Sequence, residues 1–145
     1  MKRLAVAVLI AVSATGAQAG PDSDLLAKAG LLGAWAVNCN QPPSQENPYQ
    51  IFAPSKTGYP TRNLKMVSSI DRTSEIRSIR LVASGQVKFL MKGSGDFDDR
   101  HLTVTVVGNR LRAMEAVDLQ GKKYVTNGKI NGTPNETPSF QKCGG

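Results

Sequence analysis

The chain has 145 residues, with 18 lysines and arginines against 11 aspartates and glutamates, a net charge of +7, one histidine and two cysteines. That length supports one domain with a real core and is short for two. One histidine and two cysteines do not make a four-ligand zinc cluster of any familiar spacing, and no Gly-x-Ser-x-Gly, His-Glu-x-x-His or phosphate-cradling glycine motif is present.

Met1-Lys2-Arg3, the apolar run Leu4 to Val12 and Ala17-Gln18-Ala19 follow the order of a secretory signal. The apolar run is about half of the ~20 residues a membrane-spanning helix needs, so residues 1–19 read as a leader cut near Ala19. The mature chain, 20–145, is then a single domain in the periplasm or outside the cell. Loss of Lys2 and Arg3 takes the basic residues from 18 to 16 against 11 acids, a net charge of about +5.

Asp22 to Leu32 has helical character, with Asp22 or Ser23 as N-cap and Leu25, Leu26, Ala29 and Leu32 at helical spacings. From Gly33 the period changes to two, and turn signals recur every eight to twelve residues. Eight strands are predicted: Ala34 to Asn40, Tyr49 to Ala53, Asn63 to Asp71, Ser74 to Ala83, Gln86 to Lys92, His101 to Val107, Arg110 to Leu119, and Lys122 to Asn131. Ser84-Gly85, Gly108-Asn109 and Gln120-Gly121 are hairpin loops, and consecutive hairpins make a meander. The expected fold is all-β, an eight-stranded antiparallel up-and-down barrel behind a short helix, closed so that no edge is left exposed.

Cys39, in the first predicted strand, and Cys143, near the end of the chain, would meet in a closed barrel. In an oxidising compartment they are expected to pair. A loop of about 100 residues gives a chain-entropy stabilisation of roughly 4 to 5 kcal/mol. Two free thiols are the competing reading.

Leu31-Leu32-Gly33-Ala34-Trp35 places a short helix and then Gly-x-Trp at the entrance to the first strand, which resembles the opening of lipocalin-like (calycin-type) barrels. The resemblance implies that Trp35 plugs one end and that Gly33 permits the tight chain entry beneath it. The pattern is also similar to small exported barrels that inhibit enzymes, such as bacterial metalloprotease inhibitors and periplasmic lysozyme inhibitors. Gly-x-Trp, an early Cys and a Cys-Gly ending resemble, together, exported proteins of Gram-negative bacteria.

Alternation puts Leu102, Val104 and Val106 on one face of their strand and Val87, Phe89 and Met91 on one face of theirs. The barrel interior is expected to be lined by Leu64, Met66, Val87, Phe89, Met91, Leu102, Val104 and Tyr124. Glu115 shares parity with Leu111, Ala113 and Val117 and would point inward, where a carboxylate needs a partner or a ligand. Arg77, in parity with Ile79 and Leu81, is the candidate partner. The alternatives are a β-bulge near Met114 that turns Glu115 to solvent, or a wet barrel end. Candidate ligand contacts are therefore Met66, Arg77, Phe89, Met91, Val104, Glu115 and Tyr124.

The lone His101 is read as a partly exposed residue at a strand start, and no catalytic residues are assigned. The loop Gly95 to Arg100 gathers three carboxylates without EF-hand spacing, and it reads as a solvated acidic turn offset by Lys92, so neither a metal nor another cofactor is expected. The basic residues are spread over many strands and favour acidic partners by steering. Aromatic residues do not interleave with them, so no nucleic acid is expected, and no membrane span follows the leader. Gln41 to Asn47, with two prolines and with Tyr49, Phe52 and Tyr59 nearby, offers a contact surface.

Two functions fit. One is non-catalytic capture of a small, partly apolar or anionic ligand inside the barrel of a monomeric protein. The other is a protein-interaction module or enzyme inhibitor that meets an envelope protein through the loops Gln41 to Asn47 and Gly93 to Arg100.

Overall fold

The computed structural model describes residues 20–55, 58–67, 71–83, 85–93 and 98–144. The expected leader, Ser84 and the centre of the acidic loop lie outside them. Helix α1 (Pro21–Lys28) begins earlier than the sequence suggests, with Gly20 as N-cap and Pro21 in the first turn. Proline's fixed φ and missing N–H suit that position, and Asp22 and Asp24 there oppose the positive end of the helix dipole. The helix stops at Lys28, short of Leu32, because Gly30 takes φ +73°. The Gly30 and Leu31 amides then donate to the carbonyls of Ala27 and Leu26, a Schellman ending.

Among the described residues ten strands follow: β1 (Gly33–Ala36), β2 (Tyr49–Ala53), β3 (Thr61–Lys65), β4 (Arg72–Ala83), β5 (Gln86–Met91), β6 (Arg100–Val107), β7 (Arg110–Asp118), β8 (Lys123–Thr126), β9 (Lys129–Ile130) and β10 (Ser139–Cys143). Strands β1 to β7 form an antiparallel meander, and β10 pairs with both β7 and β1 to close an eight-stranded barrel. The eighth barrel strand is thus Ser139–Cys143, and the segment expected to fill that place is the hairpin β8–β9. Asn127 and Gly128 both adopt positive φ, 50° and 73°, as a type I′ turn requires. That turn folds Lys122 to Asn131 back on itself. The hairpin extends the sheet from the C-terminal half of β7, while β10 takes the N-terminal half.

Two of the register irregularities reset which side chains face inward. Register slips between Arg77 and Arg80 against β5, where Ser78 has φ +54°. It slips again on β7, where Thr103 pairs with Glu115 but Val104 pairs with Ala113, leaving Met114 as the extra residue. Each bulge inverts the alternation beyond it.

The core joins Leu26 and Leu31 from the helix end to Trp35, Phe52, Ile76, Ile79, Val87, Phe89, Val104, Leu111 and Phe140. Trp35 is fully buried, and its indole N–H donates to the Leu31 carbonyl at 2.8 Å. The first strand ends at Ala36, earlier than expected, and the chain turns back beside β10. Cys39 there bonds to Cys143, with Cα atoms 5.4 Å apart across a sequence separation of 104.

At the β7–β8 turn, burial pushes the Asp118 carboxyl upward. Bonds from the Lys122 and Gln120 amides and the Tyr124 hydroxyl outweigh it and hold the carboxyl below the usual range. The folded state thus binds fewer protons than the unfolded chain. The stabilisation is complete above the unfolded carboxyl value, about 4, and is lost as pH falls through the lower folded value. Asp118→Asn is expected to lower stability at neutral pH and to flatten the acid limb, read from urea midpoints between about pH 7 and pH 2.

Candidate functional site

The barrel interior is incompletely filled. One cavity of about 210 Å³ is walled mainly by Phe52, Phe89, Leu102, Val104, Leu111, Pro138 and Phe140, with Gln50, Arg62, Ala113 and Thr137. A second, of about 240 Å³, is lined by Arg62, Leu64, Arg72, Ser74, Met91, Gly93, Arg100, Leu102 and Ala116. Each exceeds the ~150 Å³ of an apolar cavity known to take up benzene. Arg62 and Leu102 belong to both, so the two spaces adjoin. They lie toward the end where β3 and β5 finish and β4 and β6 begin. Helix α1 packs at the other end, where Gly30 approaches Val106.

The strand register explains the lining. On β3, Arg62 and Leu64 share a face; on β5, Val87, Phe89 and Met91 do; on β6, Leu102 and Val104 do. The sequence therefore identified Leu64, Phe89, Met91, Leu102 and Val104 as lining residues. Val87 is 1% exposed and belongs to the filled core.

The other proposed contacts stand elsewhere. Glu115 is exposed, because the bulge at Met114 turns it outward, and it accepts a bond from the Thr103 hydroxyl at 3.2 Å. Arg77 does not meet it. The extra residue at Ser78 puts Ile79 inside and Arg77 outside, where it pairs with Glu75 at 2.6 Å and lies over the Tyr59 ring. Met66 follows the end of β3 and lines neither cavity. Tyr124 is on β8, outside the closed barrel, with its ring 3.9 Å from the Arg100 guanidinium carbon. It is one side chain removed from the second cavity.

Arg62 is the residue that sequence reasoning missed. Starting the third strand at Asn63 left it in a linker, whereas β3 begins at Thr61. Extending the Leu64 parity back by two would have placed it inside. Its Nε donates to Gln50 Oε1 at 2.8 Å and its Nη1 to Met91 Sδ at 3.4 Å. Among the described residues no carboxylate pairs with it. Desolvation pushes its guanidinium down from the ordinary arginine value to about 10.

His101 lies in an outer hollow with Ser78, Arg80 and Lys88. No carboxylate among the described residues lines that hollow to orient the imidazole. Lys92 pairs with Asp99, and the Asp99 carboxylate also accepts the Gly93 amide at 2.9 Å, which ties the described flanks of the acidic loop together. No group of three metal-ligating side chains occurs among the described residues, and no described helix is long and apolar enough to cross a membrane.

The loop after Cys39 is held from within. Asn47 is 4% exposed; its amide donates to the carbonyls of Asn38, Gln41 and Pro42, and its Oδ1 accepts the Asn38 amide. The Tyr49 hydroxyl bonds to the carbonyls of Gln41 and Cys39. Gln41, Pro42, Pro43, Gln45 and Glu46 are left facing solvent.

No family model, curated protein or solved structure matches this chain.

Proposed function

We propose that this is a non-catalytic, exported binding protein that holds a small, partly apolar ligand inside its barrel. The observation that carries the reading is the pair of adjoining interior cavities, apolar on most of their walls and supplied with a few polar groups. Binding sites for small molecules have that composition. The lipocalin-like opening of the first strand and the Cys39–Cys143 bridge fit an exported barrel, and the leader supports the periplasm as its place of action.

The test is calorimetric titration of the oxidised protein with 1-octanol, paired with the variant Ala113→Leu. Ala113 borders the first cavity, so a larger side chain there occupies space that is already open. Octanol is expected to bind the native chain, and the variant to bind at least about tenfold more weakly while keeping its urea midpoint, because filling a void avoids the overpacking cost. Absence of octanol binding by the native chain would sink the reading.

A second reading is favoured by the internally bonded loop 41–47. A loop already ordered loses little entropy when it docks, which suits a protein-interaction module or inhibitor. That reading predicts a partner cross-linked in the periplasm through Gln45 or Glu46 and no effect of Ala113→Leu on its capture.

A further inference from the structure

We infer that the interior ligand is an amphiphilic anion whose acidic head pairs with Arg62 and whose apolar part occupies the cavity walled by Phe52, Phe89, Val104 and Phe140. This rests on the proposal that the barrel holds a ligand, and it adds the ligand's charge and orientation.

A guanidinium carries five N–H donors. In Arg62 one goes to the Gln50 amide oxygen and one to the Met91 sulfur, which are neutral acceptors. The other three make no hydrogen bond to a described residue, and no described acid neutralises the charge. A desolvated charge with neutral partners is costly, whereas a carboxylate oxygen brought to the same site recovers a charge-assisted bond in a water-poor setting.

The surroundings give the direction. On one side of Arg62 the walls are aromatic and aliphatic. On the other, the second cavity adds the polar side chains of Arg72, Ser74 and Arg100. An uncharged apolar ligand leaves that asymmetry unused, and a small inorganic anion leaves the apolar cavity unused.

The experiment compares octanoate, 1-octanol and acetate by calorimetry on the oxidised native chain, Arg62→Met and Arg62→Lys. Octanoate is expected to bind roughly 10- to 100-fold more tightly than octanol, the range of a bond to a charged group. In Arg62→Met the preference for octanoate over octanol should disappear. Arg62→Lys should retain part of the preference, because it keeps the charge and loses the planar fork. Acetate should bind far more weakly than octanoate. Equal affinity for octanoate and octanol in the native chain overturns the inference and leaves the cavity reading standing. A preference that survives in Arg62→Met overturns the assignment of the head group to Arg62. Octanol failing to bind overturns the cavity reading itself, a distinct failure because octanol has no anion for Arg62 to hold.

Discussion

Replacing Cys39 and Cys143 together with serine is expected to lower the free energy of unfolding by between about 2 and 5 kcal/mol. The bridge closes a loop spanning a sequence separation of 104, and long loops lose the most chain entropy on cross-linking. The structural consequence is specific to this topology. Strand β10 closes the barrel between β1 and β7, and it buries Phe140, which is 6% exposed. Without the bridge, β10 is held by its ladders, by the Gln141 side-chain bond to the Val37 carbonyl and by Lys142 on the Gly30 carbonyl. Hydrogen exchange should therefore accelerate first in β10 and β1, with β4 to β6 protected until global unfolding. Urea titrations with and without reductant measure the total effect. Coincident curves would mean that the unfolded chain is already constrained in other ways.

The second large effect has the opposite sign. Arg62→Met is expected to stabilise the ligand-free protein by about 1 to 4 kcal/mol, because it removes an ion that no described carboxylate compensates and fills the same space with an apolar chain. The lowering of the Arg62 guanidinium from the ordinary arginine value to about 10 corresponds to roughly 3 kcal/mol of disfavoured charge. For the sign, a base whose folded pKa lies below its unfolded value costs stability wherever it is charged. The cost is complete below the folded value and shrinks as pH rises above it. The gap between variant and native chain should thus be constant through neutral pH and narrow only above about 10. A stabilised variant that has lost its preference for octanoate is the signature of a residue kept for binding at the expense of stability. A destabilised variant would show that the bonds to Gln50 and Met91 outweigh the desolvation.

Much of the fold was legible locally. Alternation of apolar residues, together with turns such as Gly108-Asn109, marked seven of the barrel strands, and those are properties of neighbouring residues. The Asn127-Gly128 turn carried an equally local signal, and reading through it displaced the eighth strand. The closing strand Ser139–Cys143 is short and has little alternation of its own. Its place depends on β1, more than 100 positions earlier in the chain.

The site divided along the same line. Residues on uninterrupted alternation, Phe89, Met91 and Val104, were found from the sequence because the period-two rule alone decides their face. Arg77 and Glu115 were misplaced because bulges at Ser78 and Met114 reverse that rule, and a bulge is a property of two strands in register, not of one. Arginine is a residue type usually left at the surface, and the half-buried place of Arg62 follows from closure of the barrel around β3. Local sequence was enough to give a mostly β chain with a short helix in front and two distant cysteines placed to meet. Tertiary structure decided which strand closes the barrel, which side chains face inward and that Arg62 stands among them with no described carboxylate paired to it. Pairing across distant segments sets each of those outcomes, and no local pattern encodes it.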